Sequence, residues 1–260
     1  MNLLRGKWRT WAHGCAVVAV TLALQSTPDA QAPQRPPAAA PVSAKAAAPF
    51  DLTGYWVSIV TQDWRQRMVT PANGDYASVP ITAEAKRVAD TWDPAKDDAA
   101  GEQCRSYGAP AVMRNPGRIH IAWQDDQMLK VETDAGLQTR LFHFGAPKRS
   151  RGAATWQGES VAQWEIPATR SNRERKYGSL RVVTTRARPG YLRKNGIPYS
   201  ADAVLTEYWD LATERNGDRW ITLTSSVEDA RYLREPMVTA LQFKQESDGS
   251  KWDPTPCSAR

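Results

Sequence analysis

The feature that most constrains the fold is an alternation of polar and apolar side chains, repeated in ten short runs. Successive side chains of a β-strand point to opposite faces, so this two-residue period predicts strands. The runs are rich in Val, Ile, Thr, Trp, Tyr and Phe, which favour strands. The predicted strands are Gly54–Thr61, Trp64–Val69, Arg118–Gln124, Met128–Thr133, Leu137–Phe144, Ser160–Ile166, Leu180–Ala187, Ala203–Leu211, Arg219–Val227 and Met237–Gln245.

Turn residues between the runs indicate antiparallel neighbours. Asn216-Gly217 separates one pair of runs, and residues 118–144 form three runs with very short links. About ten antiparallel strands must hide their edges, which a closed barrel or a sandwich achieves. The short sequential links favour the barrel. We therefore predict an all-β fold with a single antiparallel β-barrel of roughly 8–10 strands.

One short helix is predicted, from Ala83 to Thr91. Thr82 can cap its first turn, Glu84 suits its positive end, and Pro94 prevents extension. The stretch 92–116 that follows is interrupted by Pro and Gly, and we expect it to be irregular.

The first 49 residues are unlike a globular domain. Basic residues precede the apolar run Cys15–Leu24, and Ala30 and Ala32 have the spacing of a cleavage pattern. This arrangement predicts a secretory signal peptide over residues 1–32. Residues 33–49 are rich in Pro and Ala and are expected to form a disordered tether.

The remaining residues, 50–260, are expected to form one barrel domain. No later run approaches eighteen apolar residues, so no stable membrane insertion is expected after signal cleavage. Cys104 and Cys257 are the only cysteines of this region. An exported protein with one cysteine pair suggests a disulfide, the alternative being two free thiols. The expected location is periplasmic or secreted.

The first predicted strand carries the pattern Gly54-x-Trp56 within "LTGYW". This pattern resembles the first strand of lipocalins and the wider calycin barrels. The resemblance implies that the Trp closes the barrel floor, packed on a basic side chain from a late strand. More broadly, "TGYW", "PGRIHI", "NGIPYS" and the terminal "WDPTPC" resemble a family of secreted bacterial proteins of unknown function. That second resemblance implies no activity.

The sequence holds no motif that predicts a metal or a cofactor. His120 and His143 are the only histidines after residue 32, and no spacing supports a metal site. The nearest approach to a nucleophile elbow is at Ser160, where Ala162 replaces the second glycine, and we discount it. The basic patches at 148–151 and 170–176 lack interleaved aromatic residues, so we expect solvated loops and no nucleic-acid partner.

Three charged residues stand at alternate positions directly after the first strand. In a strand, Asp63, Arg65 and Arg67 would share one face. They predict an internal ion-pair ladder or an edge that grips a ligand, the alternative being a solvent-facing hairpin. Glu132 is predicted to face outward, because Leu129 and Val131 occupy the other face of its strand.

Two functions remain open. The first is a binding protein that holds a small apolar or aromatic molecule in its lumen, where the chain's many Trp residues would contact it. Its candidate ligand residues are Asp63, Arg65, Arg67, Trp56, Trp123, His143 and Glu207. The alternative is a metal-independent lyase, isomerase or cyclase, with His120 as base and Tyr199 or Tyr208 as acid. The fold cannot choose between them.

Overall fold

The computed structural model describes residues 42–145, 152–168 and 177–260. The predicted signal peptide, residues 33–41 of the predicted tether and both basic patches lie outside the described residues.

The described residues form eleven strands and five short helices. The strands are β1 Gly54–Ile59, β2 Arg118–Asp125, β3 Met128–Thr133, β4 Gln138–Phe144, β5 Glu159–Glu165, β6 Ser179–Thr185, β7 Gly190–Tyr191, β8 Pro198–Tyr199, β9 Val204–Thr213, β10 Arg219–Glu228 and β11 Met237–Glu246. The helices are α1 Trp64–Met68, α2 Ala83–Asp90, α3 Pro94–Ala99, a 3-10 helix Gln103–Tyr107 and α4 Ala109–Val112.

Nine of the strands close into a barrel in the order β1-β11-β10-β9-β6-β5-β4-β3-β2, and β7 pairs with β8 separately. The predicted all-β barrel is confirmed. Every neighbouring pair is antiparallel except β4 and β5. An odd number of strands cannot alternate in direction all the way round, so one parallel pair is required. The strands β4 and β5 therefore start at the same end of the barrel.

One end of the barrel carries most of the non-barrel structure. We call it the capped end: β1 finishes and β2 begins there, and the links between them hold all five helices. The β7–β8 hairpin lies between β6 and β9 at the same end. A second apolar cluster forms here, with Leu192, Ile197, Tyr199, Leu205 and Met237 among its members. The cap therefore has a core of its own.

The predicted helix is confirmed over Ala83–Asp90, and the Thr82 side chain accepts a hydrogen bond from the amide of Ala85 at 3.1 Å. The stretch 92–116, which we expected to be irregular, contains three further short helices. Pro at the first turn of α3 and of α4 explains this, since Pro is tolerated there.

The predicted strand Trp64–Val69 is wrong, because this segment forms the one-turn helix α1. Asp63 precedes it in the left-handed conformation, with φ of 49°, and turns the chain. Arg, Gln and Met are good helix formers, and five residues are too few to separate a period of 2 from one of 3.6. Asp63, Arg65 and Arg67 therefore do not share a strand face.

Cys104 and Cys257 form a disulfide, as predicted. It joins the 3-10 helix of the cap to the C-terminal segment. Thr255 also bridges Ala135 in the turn between β3 and β4, so this segment is fastened to the capped end twice. No helix of the described residues is both long and apolar enough to cross a bilayer.

Candidate functional site

Inward-facing side chains fill the barrel. Trp56, Phe142, Trp209 and Phe243 are among the largest, and each is fully buried. Trp56 donates from its indole nitrogen to the carbonyl of Leu52 at 2.9 Å. The guanidinium of Arg219, the first residue of β10, lies 5.6 Å from the Trp56 ring. The interior thus holds protein side chains where we expected a ligand.

Trp123 belongs to an aromatic group at the other end of the barrel. Its ring centroid is 5.5 Å from that of Phe144, which is 5.5 Å from Trp164. Phe50 meets Trp164 edge-on at 5.3 Å, and the Trp164 indole donates to the carbonyl of Ala44 at 2.9 Å. The segment before β1 therefore covers this end, and Trp123 packs in it.

Glu207 faces the barrel interior but is already paired. Arg140 makes two hydrogen bonds to the Glu207 carboxylate, at 2.8 and 2.6 Å, and a third to the Thr184 hydroxyl at 3.2 Å. The side chains of both partners are fully buried. The Ser160 hydroxyl contacts that of Thr184 at 2.7 Å. These groups form a polar layer, in which Glu207 neutralises Arg140.

His120 lies on the outer face of the barrel, as Glu132 does. Its ring stacks on Tyr55 at 4.3 Å, and Nδ1 is 3.0 Å from a Glu132 oxygen. Burial alone would raise the pKa of Glu132, but hydrogen bonds to Lys130 and His120 lower it below its usual value. His120 is thus held on the outer surface by a hydrogen bond and a stacked aromatic partner.

The two candidate acids lie far from His120. Tyr208 is on β9, and the strands β10, β11 and β1 stand between it and β2. Tyr199 is buried in the cap cluster, where its hydroxyl has no partner among the described residues. Burial raises the pKa of Tyr199 far above its usual value. The structure therefore does not bring the proposed acid–base set together.

His143 projects from the outer face of β4 into a groove of about 610 Å³. Thr139 and Leu141, on the same face of β4, also line this groove. No group of three or more His, Cys, Asp or Glu side chains placed to hold a metal occurs in the described part of the chain.

Several buried charged side chains lie close together at the capped end, around α1. Arg67 is only 8% exposed, whereas Arg65 is exposed to solvent. The Arg67 Nε donates to the carbonyl of Arg114 at 2.9 Å, and one Nη donates to the hydroxyl of Ser58 at 2.9 Å. The one-turn helix thus points Arg67 inward and Arg65 outward.

Two further arginines converge on the same place. Arg114, 8% exposed, contacts the Asp63 carboxylate at 2.9 Å, and Arg193, 4% exposed, contacts the same oxygen at 3.5 Å. Lys194 donates to the hydroxyl of Tyr107 at 2.6 Å. We call Asp63, Arg67, Arg114, Arg193 and Lys194 the arginine pocket. Residues 66–71 and 114–116 also line its cavity of about 270 Å³.

The arginine pocket is short of negative charge. Of its four cationic side chains, only Arg114 and Arg193 contact a carboxylate, that of Asp63. Burial and the neighbouring Arg114 lower the pKa of Arg67 to about 10, and the same two causes lower the pKa of Arg193. One Nη of Arg67 and the Nε of Arg193 are buried without a hydrogen-bond partner among the described residues. Buried guanidinium groups with unpaired N–H donors can bind an anion.

Sequence reasoning found Asp63 and Arg67 but missed Arg114 and Arg193. Both of the missed residues stand just before turns, in "RNPG" and "RKNG". A charged residue beside a turn normally indicates a solvated loop, so no local signal distinguished them. No family model, curated protein or solved structure matches this chain.

Proposed function

We propose that this chain is a binding protein for a small molecule that carries an acidic group, and that the acidic group sits in the arginine pocket. One observation carries the proposal: three buried arginines line one cavity, only Arg114 and Arg193 contact a carboxylate, that of Asp63, and one N–H group each of Arg67 and Arg193 has no partner among the described residues. An unpaired buried donor on a charged group is costly. A carboxylate, phosphate or sulfate would supply the missing acceptors and charge.

This proposal agrees with the sequence-based expectation that the protein binds a small molecule. It differs in the location of the site, which is the cap and not the barrel lumen. Packed side chains occupy the barrel interior, whereas the arginine pocket is a cavity at the surface. An apolar or aromatic body on the ligand is compatible with Met68 and Val69, which line the pocket beside Arg67. The separation of His120 from Tyr199 and Tyr208 gives the enzyme alternative no support.

The proposal places the protein outside the cytoplasm, in the periplasm or secreted. The disulfide supports a non-reducing compartment, and the N-terminal pattern supports export. A place among calycin barrels is part of the proposal too, supported by the contact between Trp56 and Arg219.

Calorimetric titration with phosphate, sulfate, acetate and benzoate tests the proposal. We expect at least one of these anions to bind, with affinity lost in Arg67→Gln. Arg65→Gln is the matched control, because it removes the same charge two residues away from an exposed position. His120→Ala should bind as the wild type does. Equal affinity in Arg67→Gln and Arg65→Gln, or no binding of any anion, would refute the proposal.

A further inference from the structure

Three large exposed apolar side chains lie on α1 or directly after it, and two of them, Met68 and Val69, line the arginine pocket. Trp64 is 66% exposed, Met68 60% and Val69 63%. Trp64 and Met68 are four residues apart on α1 and therefore share one face of the helix. Together they place an apolar patch of three neighbouring residues beside an anion site. An exposed cluster of this kind marks an interaction surface.

We propose that this surface docks on a membrane, with the headgroup phosphate of an anionic phospholipid in the arginine pocket and Trp64, Met68 and Val69 in the interfacial region. The inference rests on the proposed function, since it names the source of the anion. Stable binding at a membrane surface usually needs two signals. Here one would be the insertion of apolar side chains into the interface, and the other the binding of a lipid phosphate by the arginines.

The size of the pocket favours a lipid in a bilayer over a free amphiphile. A cavity of about 270 Å³ suits a phosphate and a few neighbouring atoms. An acyl chain would have to lie elsewhere. The patch offers no enclosed channel for it, because its three side chains point into solvent. In a bilayer the acyl chains remain among other lipids, and the patch meets the interface directly.

Charge complementarity points in the same direction. Residues 33–260, which remain after the predicted cleavage, hold 31 Lys and Arg against 27 Asp and Glu, a net charge of +4, and Arg65 is exposed between Trp64 and the buried Arg67. Basic residues beside an interfacial apolar face are attracted to anionic lipid surfaces. Trp is itself enriched at membrane interfaces, where its ring lies at headgroup depth.

Co-sedimentation with vesicles tests the inference. The wild type should sediment with phosphatidylcholine vesicles that contain phosphatidylglycerol, and not with phosphatidylcholine alone. Trp64→Ser should bind the vesicles about tenfold more weakly or worse, while its affinity for soluble anions stays unchanged, because Trp64 is outside the pocket lining. Ile166→Ser is the matched control, because Ile166 is also a large exposed apolar residue and directly follows β5, at the opposite end of the barrel from the cap. Arg67→Gln should weaken vesicle binding as well.

Each other outcome overturns the inference. If the wild type binds soluble anions but not the vesicles, membrane docking fails and the proposed function stands. If it binds monomeric dodecanoate but no vesicles, the occupant is a free amphiphile. A concentration-dependent dimer that Trp64→Ser abolishes makes the patch a self-association surface. If neither anions nor vesicles bind, the proposed function fails too.

Discussion

Arg67 donates a hydrogen bond of 2.9 Å from Nε to the backbone carbonyl of Arg114. This bond holds one arginine against the segment that carries another, although like charges repel. The pocket therefore keeps two guanidinium groups together at a cost, and a bound anion would relieve that cost. The following predictions depend on this arrangement and on the buried contacts around it.

An anion that occupies the arginine pocket should stabilise the protein. At an anion concentration one hundred times the dissociation constant, we expect the free energy of unfolding to rise by about 2.7 kcal/mol, because only the native state binds. Urea unfolding with and without the anion measures this. Arg67→Gln should show no rise, whereas Arg65→Gln should respond as the wild type does. A similar rise in Arg67→Gln would contradict the assignment of the pocket.

Anion affinity should be constant up to about pH 9 and fall above it. The pKa of Arg67 is lowered to about 10 by burial and by Arg114, and the anion binds the protonated form. As pH rises through the pKa of the free protein, the charge must be restored on binding, so affinity falls by up to tenfold per pH unit. Calorimetry from pH 8 to 11 measures the profile.

Arg67→Lys supplies the control for that profile. An amine has a lower reference pKa than a guanidinium, and the same burial and neighbour lower it further. The fall in affinity should therefore begin at a lower pH in this variant, while Arg65→Gln keeps the wild-type profile. An affinity that stays flat to pH 11 in the wild type would rule out Arg67 as the group that contacts the anion.

Glu207→Gln should destabilise the fold without changing anion affinity. The substitution leaves the buried Arg140 without its countercharge, which costs about 3–5 kcal/mol. The double variant Arg140→Met/Glu207→Leu should recover much of that loss, because it removes both charges. Urea unfolding of the single and double variants gives the comparison. The exposed Glu214→Gln should change stability by less than about 0.5 kcal/mol. Weaker anion binding in a folded Glu207→Gln would contradict this separation of roles.

Removal of the disulfide should lower the free energy of unfolding by about 2–5 kcal/mol, since the bridge closes a long loop in the unfolded chain. Cys104 and Cys257 are 153 residues apart. The variant Cys104→Ala/Cys257→Ala, compared with the oxidised wild type by urea unfolding, measures the effect. Intact mass should rise by two hydrogens when the wild type is reduced. An unchanged mass would show that the bridge is absent.

The barrel could be predicted because each of its strands alternates over several residues, and local alternation is what a strand buried on one face requires. The segment around Trp64 could not be assigned in this way, because five residues fit the strand period of 2 and the helix period of 3.6 equally well. Its two arginines illustrate the consequence: a strand would place Arg65 and Arg67 together, and the helix separates them.

The arginine pocket lay beyond sequence reasoning for a different reason. Arg67 and Arg114 are 47 residues apart in the link between β1 and β2, and Arg193 belongs to the link between β6 and β9. They meet only because both links leave the barrel at the capped end. Predicting their approach would have required the strand order, which local patterns do not contain. The disulfide, in contrast, could be predicted from two facts alone: the region has two cysteines, and the chain carries a pattern for export.

The bridge between Cys104 and Cys257 also decides how this protein would respond to a mechanical pull on its two ends. The ten strands β2–β11 all lie between the bridged residues, so tension passes through the bridge and bypasses them. Only β1, the segments before Cys104 and the last three residues can be drawn out. From residue 52 to the bridge that release is roughly 180 Å of contour length at about 3.5 Å per residue. The rest of the barrel is shielded from force for as long as the disulfide is intact.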